Sequence, residues 1–353
     1  MKPYLKILFV LACAQVSFAL TVDGYCYLES ESDHSGTKIK FVEAGSSFAA
    51  DSAYTEPSGH FNLDLAAGLY DVEYSHGTFG NTTASVQLHA TDTTLAPRAL
   101  RLSAHRLSGS LKGTLEPGMY RIVGNLTVGI GDTLRLLPGT TLFFARANAF
   151  TIRGTLLAEG TAKDSILFTT NIHARHRHWS GLRFIDPSSS ESRLAYCSIE
   201  HAKGRAGGLY CRNSSPTFSD CVIKHNSAQW GGGILCSVSS PTFVNCTISG
   251  NQAKYGGGGV YGRLSALTFQ NCTITDNSTS FYGGGVYGRR SSLVFADCTI
   301  AGNSTGWYGG GAFCSNSSLS FGACTITGNS AGHEGDGIYR SNSSLNLKGC
   351  VVQ

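Results

Sequence analysis

The sequence predicts an all-β chain whose C-terminal two-thirds is a solenoid of stacked coils. Three observations carry this. Cys221, Cys246, Cys272, Cys298, Cys324 and Cys350 recur at intervals of 25, 26, 26, 26 and 26 residues, and a fixed period in this range marks a repeat architecture. Neighbouring columns keep the same beat: Ile223, Ile248, Ile274, Ile300, Ile326 and Val352 stand two after each Cys, Phe218, Phe243, Phe269, Phe295, Phe321 and Leu347 three before, and Asn226, Asn251, Asn277, Asn303 and Asn329 five after the first five. The chain also carries 44 Gly and only 14% charged residues, which disfavours helices because Gly destabilises them and charged helix faces would be scarce.

One coil can be read from Leu267. Leu267 and Phe269 are two apart, as are Cys272 and Ile274, the period of a strand with one face inward. Gln270-Asn271 allows a corner between the pairs, Asn277 begins a second, and Gly283-Gly284-Gly285 gives the backbone freedom for a third before Val286. Each repeat is therefore expected to be one coil of about three short strands, which buries its apolar face only by stacking on its neighbours. A leucine-rich repeat has a similar period, but segment 277–285 (Asn-Ser-Thr-Ser-Phe-Tyr-Gly-Gly-Gly) is unfit for its helical return. The expected fold is a parallel β-helix, right-handed because parallel crossovers nearly always are. Alternating segments 118–128, 132–144 and 150–156 precede the repeats as irregular first coils.

The stretches GDTLRLLPGTTLFF (131–144), GTLLAEGTAKDSILFTT (154–170) and WSGLRF (179–184) resemble the opening coils of the pectin-lyase-like right-handed β-helix superfamily. The resemblance covers most of 105–353. Gly309-Gly310-Gly311-Ala312-Phe313 and its siblings are similar to repeats of polymorphic outer-membrane adhesins, although Ile274 stands where their second hallmark has Phe.

Ahead of the solenoid, residues 20–102 read as a small β-sandwich, with alternating strands at 22–28, 38–42, 60–65, 69–74 and 85–88 between Gly-bearing turns. The run SGHFNLDLAAGLYDVEYSH (58–76) resembles the carboxypeptidase regulatory-like family, which implies an accessory Ig-like module without catalytic residues. Residues 1–19 read as a secretory signal, with Lys2 and Lys6, an apolar stretch at 7–14 and Ser17-Phe18-Ala19 as the cleavage site. A lipoprotein box at Val10-Leu11-Ala12-Cys13 fits less well, because Leu11 is bulky there. The protein is thus expected to be secreted or at the cell surface, with domains at 1–19, 20–102 and 103–353. The sequence stops at Val351-Val352-Gln353 in mid-coil, and either a truncated reading frame or a further anchoring domain is expected.

Loss of Lys2 and Lys6 takes the net charge from +4 to +2. A nearly neutral chain without a basic block is not expected to bind nucleic acid. No apolar run beyond the N-terminus is long enough to span a membrane.

The Cys column reads as core packing, since Cys is small and readily buried. No CxxC occurs and no His shares the beat, so no metal or cofactor is expected. Cys211 and Cys236, one coil apart, are the best-placed pair for a disulfide. The Asn column reads as a ladder of stacked amides. Tyr210, Leu235, Tyr261, Tyr287, Phe313 and Tyr339 are expected to face outward, because Val260 and Val286 face in. The turn before each Gly cluster carries Trp230, Tyr255, Phe281, Tyr282, Trp307 and Tyr308. Such rings can take the apolar C–H faces of sugars, and Arg263 and Arg289 can reach an acidic sugar's carboxylate. Equally, exposed aromatics stabilise strands by stacking on their neighbours.

Candidate catalytic groups are sparse. From Arg205 onward the acids are Asp220, Asp276, Asp297, Glu334 and Asp336. Asp220 and Asp297 share a column but are three coils, about 14 Å, apart, too far for a carboxylate pair. Glu334 and Asp336 cluster with His333, and His173, Arg175, His176, Arg177 and His178 form a basic loop. The expected function is surface interaction through carbohydrate binding or adhesion, with a polysaccharide lyase or glycoside hydrolase as the second reading and a structural spacer as the third.

Overall fold

Two-residue periodicity within each repeat produces four stacks of parallel strands. The computed structural model describes residues 20–28, 35–43, 49–65, 68–76, 79–88, 98–100, 105–144, 147–170 and 179–353, so the signal segment and the basic loop of His173, His176 and His178 lie outside the described residues. The chain forms two units, 1–104 and 105–353.

In the second unit, the first face stacks Leu182–Ile185, Leu209–Arg212, Ile234–Ser237, Val260–Arg263, Val286–Arg289, Ala312–Ser315 and Ile338–Ser341. The second face is a 10-stranded stack running from Gly113–Leu115 to Ser344–Lys348. The third face continues from Thr140–Phe144 to Val351–Val352, through strands such as Thr273–Thr275. The long strand Gly118–Val128 joins the first and third faces, pairing with both Thr140–Phe144 and Phe150–Ile152. A fourth, 6-stranded stack of short strands runs from Lys203–Gly204 to Ser330–Ala331. The sequence reading of three strands per coil lacked this one, because Ser278–Thr279 stays extended for only two residues after Asn277.

Register is one coil throughout: Val260, Tyr261, Gly262 and Arg263 lie on Val286, Tyr287, Gly288 and Arg289. The inward Phe column therefore stacks face to face, with Phe243, Phe269 and Phe295 at centroid spacings of 4.9 Å, the separation of neighbouring strands.

The corners share one construction. A single residue in the left-handed region turns the chain, and the residue after it sends a hydrogen-bonding side chain into the interior. Asn213, Val238, Leu264, Arg290, Asn316 and Asn342, with φ between 47 and 54°, precede Ser214, Ser239, Ser265, Ser291, Ser317 and Ser343. Asp220, Asn245, Asn271, Asp297 and Ala323 precede the Cys column, and His225, Gly250, Asp276, Gly302 and Gly328 precede the Asn column. In the serine ladder, Ser265 N–H donates to Ser291 Oγ (3.2 Å), and that hydroxyl donates to the Arg289 carbonyl (3.0 Å).

The Cys column does more than fill space. Cys272 N–H donates to Cys298 Sγ (3.4 Å), while the Cys272 thiol reaches the carbonyls of Gln270 (3.3 Å) and Phe243 (3.5 Å). The interaction of its own thiol hydrogen with Cys221, together with burial, pushes Cys246 up to about 12 against the Cys272 thiol, which lowers it, so the sulfur stays protonated at neutral pH and is a poor nucleophile. Cys211 and Cys236 are free, buried thiols. In the Asn column, Asn251 Nδ2 donates to Asn277 Oδ1 (3.0 Å) and Asn277 Nδ2 to Asn303 Oδ1 (2.9 Å).

Val238 shows the cost of this construction. A left-handed conformation costs a residue with a Cβ roughly 1–2 kcal/mol, and a β-branched residue fits it worst. Val238 is 53% exposed and has little packing to lose. Val238→Asn is expected to stabilise the protein by about 1 kcal/mol, read as a higher urea midpoint; an unchanged or lower midpoint contradicts this.

In the first unit, Leu20–Leu28 pairs with His60–Leu65 and Arg98–Leu100, and an antiparallel sheet is ordered Ala49–Tyr54, Lys38–Glu43, Gly68–His76, Phe79–Leu88. Val22, Cys26, Phe61 and Leu65 from one sheet share a core with Ile39, Phe41, Tyr70, Val72 and Tyr74 from the other. Ala49–Tyr54 escaped the sequence reading because most of it lacks β-branched and aromatic residues.

Candidate functional site

The outward column of the first face is Tyr210, Leu235, Tyr261, Tyr287, Phe313 and Tyr339, one per coil. The turn leading into each first-face strand lays a second aromatic layer over it. In this layer Trp230, Gly256, Tyr282, Tyr308 and Glu334 are in register. The Trp230 ring lies 5.0 Å from Tyr261, and the Tyr282 ring 5.1 Å from Phe313. Gly256 keeps the layers close, since a Cβ there would come within 2.6 Å of the Tyr287 ring.

This roof corrects the expectation for Tyr261 and Tyr287. Both point away from the coil interior, yet they are only 4% and 6% exposed. With Phe313 they form a small outer core rather than a platform open to solvent. Burial pushes the Tyr287 phenol up to about 12. Burial also raises Tyr261, against a hydrogen bond from Arg289 that lowers it. Arg263 and Arg289 are exposed at the ends of their strands.

Of the other predicted ring residues, Tyr255, Tyr282 and Tyr308 are half-buried, while Trp307 is 43% exposed. The Trp307 plane is tilted 59° from Phe281, 81° from Tyr282, 84° from Tyr308 and 68° from His333. No neighbouring ring therefore lies parallel to the indole, whereas Tyr255 and Phe281 stack at 27°. His333 belongs to this ridge, 5.7 Å from Trp307 and 5.5 Å from Tyr308. The 26-residue beat already places His333 under Trp307, but its neighbours Glu334 and Asp336 drew it into an acidic cluster.

Beside the ridge, a groove of about 410 Å³ follows the fourth stack, lined by Lys203, Ser227, Gln229, Gln252, Lys254 and Ser280 among others. Lys254 Nζ sits 5.1 Å over the Tyr255 ring, within cation–π range. Sequence reasoning missed the groove because its polar lining changes from coil to coil, Lys203 over Ser227 over Gln252.

Three of the five acids beyond Arg205 make local structural bonds. Asp220 accepts from Asn245 Nδ2 (3.1 Å), Asp276 from the Thr275 hydroxyl (3.0 Å), and Asp336 from Ala331 N–H (2.7 Å). Among the described residues, no three or more His, Cys, Asp or Glu side chains converge as a metal site. No helix among them is long and apolar enough to cross a membrane.

A parallel solenoid with in-register ladders and an aromatic ridge on one edge defines the class of protein. A family model described as a right handed beta helix region matches residues 139–261 and 180–352, together more than half of the chain. The chain belongs to this right-handed β-helix family. No curated protein matches it.

Proposed function

We propose that this is an exported protein, secreted or held at the cell surface, that binds carbohydrate through the ridge around Trp307. In this reading the first unit is an accessory β-sandwich of the carboxypeptidase regulatory-like kind. The observation that carries the proposal is the exposed indole with no ring parallel to it, held among half-buried aromatics on a layer of buried tyrosines. An aromatic face presents an apolar surface with a polarised π-system to sugar C–H groups. A ridge fixed before binding loses little conformational entropy on contact.

The test separates ridge from roofed layer. Trp307→Ala is expected to weaken retention on immobilised polysaccharide by about tenfold or more while the melting temperature falls by only about 2–4 °C. Tyr261→Ala is expected to cost about 3 kcal/mol of stability, as a buried aromatic does. A folded wild-type chain that binds nothing on a broad glycan array contradicts the proposal.

A further inference from the structure

The groove beside the ridge has a chemistry of its own. Lys203 pairs in register with Ser227, and Ser227 with Gln252 in the strand of Lys254. The two lysines are thus two coils, about 10 Å, apart along the axis, and Lys254 stands two residues past the register of Lys203, about 7 Å to the side, so about 12 Å separates their backbone positions. Both are exposed. Among the described residues neither forms an ion pair, and no carboxylate lines the groove. Asp220 and Asp297 stand instead on the corner before the Cys column. Between the lysines lie Ser227, Gln229 and Gln252, whose amides and hydroxyls both donate and accept, as sugar hydroxyls do.

We infer that this groove binds an acidic glycan whose anionic groups fall on alternate sugars, one on Lys203 and the next on Lys254. The two-coil rise matches the length of an extended disaccharide and the flexible lysine stems take up the sideways offset, so successive charges meet successive ammonium groups while the intervening sugar meets Gln and Ser. Tyr255, under Lys254, connects the groove to the aromatic ridge. The inference rests on the carbohydrate reading above and adds the charge and spacing of the ligand.

The experiment compares binding of the full chain to hyaluronan, which carries a carboxylate on alternate sugars, and to unsubstituted neutral xylan. Hyaluronan is expected to bind, and more weakly as salt rises above about 0.15 M, where exposed charges are screened. Lys203→Gln with Lys254→Gln is expected to weaken it about tenfold at unchanged melting temperature, and Lys203→Arg with Lys254→Arg to retain it. Xylan binding as tightly as hyaluronan, or a Gln double variant that binds normally, overturns the inference and leaves the carbohydrate reading standing. Absence of binding to either, and to every glycan of the array, overturns both.

Discussion

Asn277→Ala is expected to destabilise the solenoid by about 4 kcal/mol, lowering the melting temperature by roughly 10 °C. The side chain is fully buried. Its Nδ2 donates to the Ile248 carbonyl (2.9 Å) and to Asn303 Oδ1 (2.9 Å). Its Oδ1 accepts from Asn251 Nδ2 (3.0 Å) and from Asn251 backbone N–H (3.0 Å). Alanine removes all four bonds and leaves the buried Asn251 N–H without its side-chain acceptor, in a place water does not reach. Each buried polar group left unsatisfied costs about 1–3 kcal/mol, and the missing amide adds a cavity. Because coils contact only their neighbours, the loss is expected to appear first as faster amide exchange in the adjoining coils. A destabilisation below about 1 kcal/mol would contradict the ladder as described.

Gly284→Ala is expected to be at least as damaging as a typical overpacked core, about 3 kcal/mol or more. A Cβ on Gly284 would lie 2.4 Å from the Gly310 carbonyl oxygen and 2.5 Å from that of Ser304. Both are backbone atoms of the next coil, so no side chain can rotate out of the way. Gly283 takes a φ of 63°, and a Cβ on Gly285 would meet the next coil as well, 2.6 Å from the Gly311 carbonyl oxygen and 3.0 Å from the Asn303 amide. Gly322→Ala is the control. Its nearest contact would be 4.0 Å away, and Ala296 occupies the same position one coil earlier. That change is expected to fall within about 0.5 kcal/mol of neutral in the same denaturation experiment. Equal effects at the two glycines would contradict the close stacking of the turns.

Period was the legible part of this fold. A column such as Cys246, Cys272 and Cys298 is visible because an uncommon residue recurs at a fixed interval, and its neighbours Phe269 and Ile274 reveal strand spacing around it. The serine ladder has the same period but was not seen. Serine is common, and the residues that turn its corner, Val238, Leu264 and Arg290, carry no signature of a left-handed conformation. Alternation places Tyr261 and Tyr287 outside the coil. It does not reveal that the turns carrying Trp230 and Tyr282 fold over them, Trp230 on Tyr261 and Tyr282 on Tyr287. Inside and outside are local properties of a strand, whereas exposure depends on everything packed against it. The groove at Lys203 and Lys254 lies further from sequence reasoning, because its polar lining is made by unlike residues that only coil register brings together.

The coils are stacked in register, with like side chains directly above one another. Anomalous diffraction from the native sulfurs tests this without substitution. The Sγ atoms of Cys246, Cys272, Cys298 and Cys324 are expected as a straight row with successive separations of about 4.8 Å, the strand spacing, each a free thiol. Sulfur positions scattered through the molecule, or drawn together in bonded pairs, would contradict it.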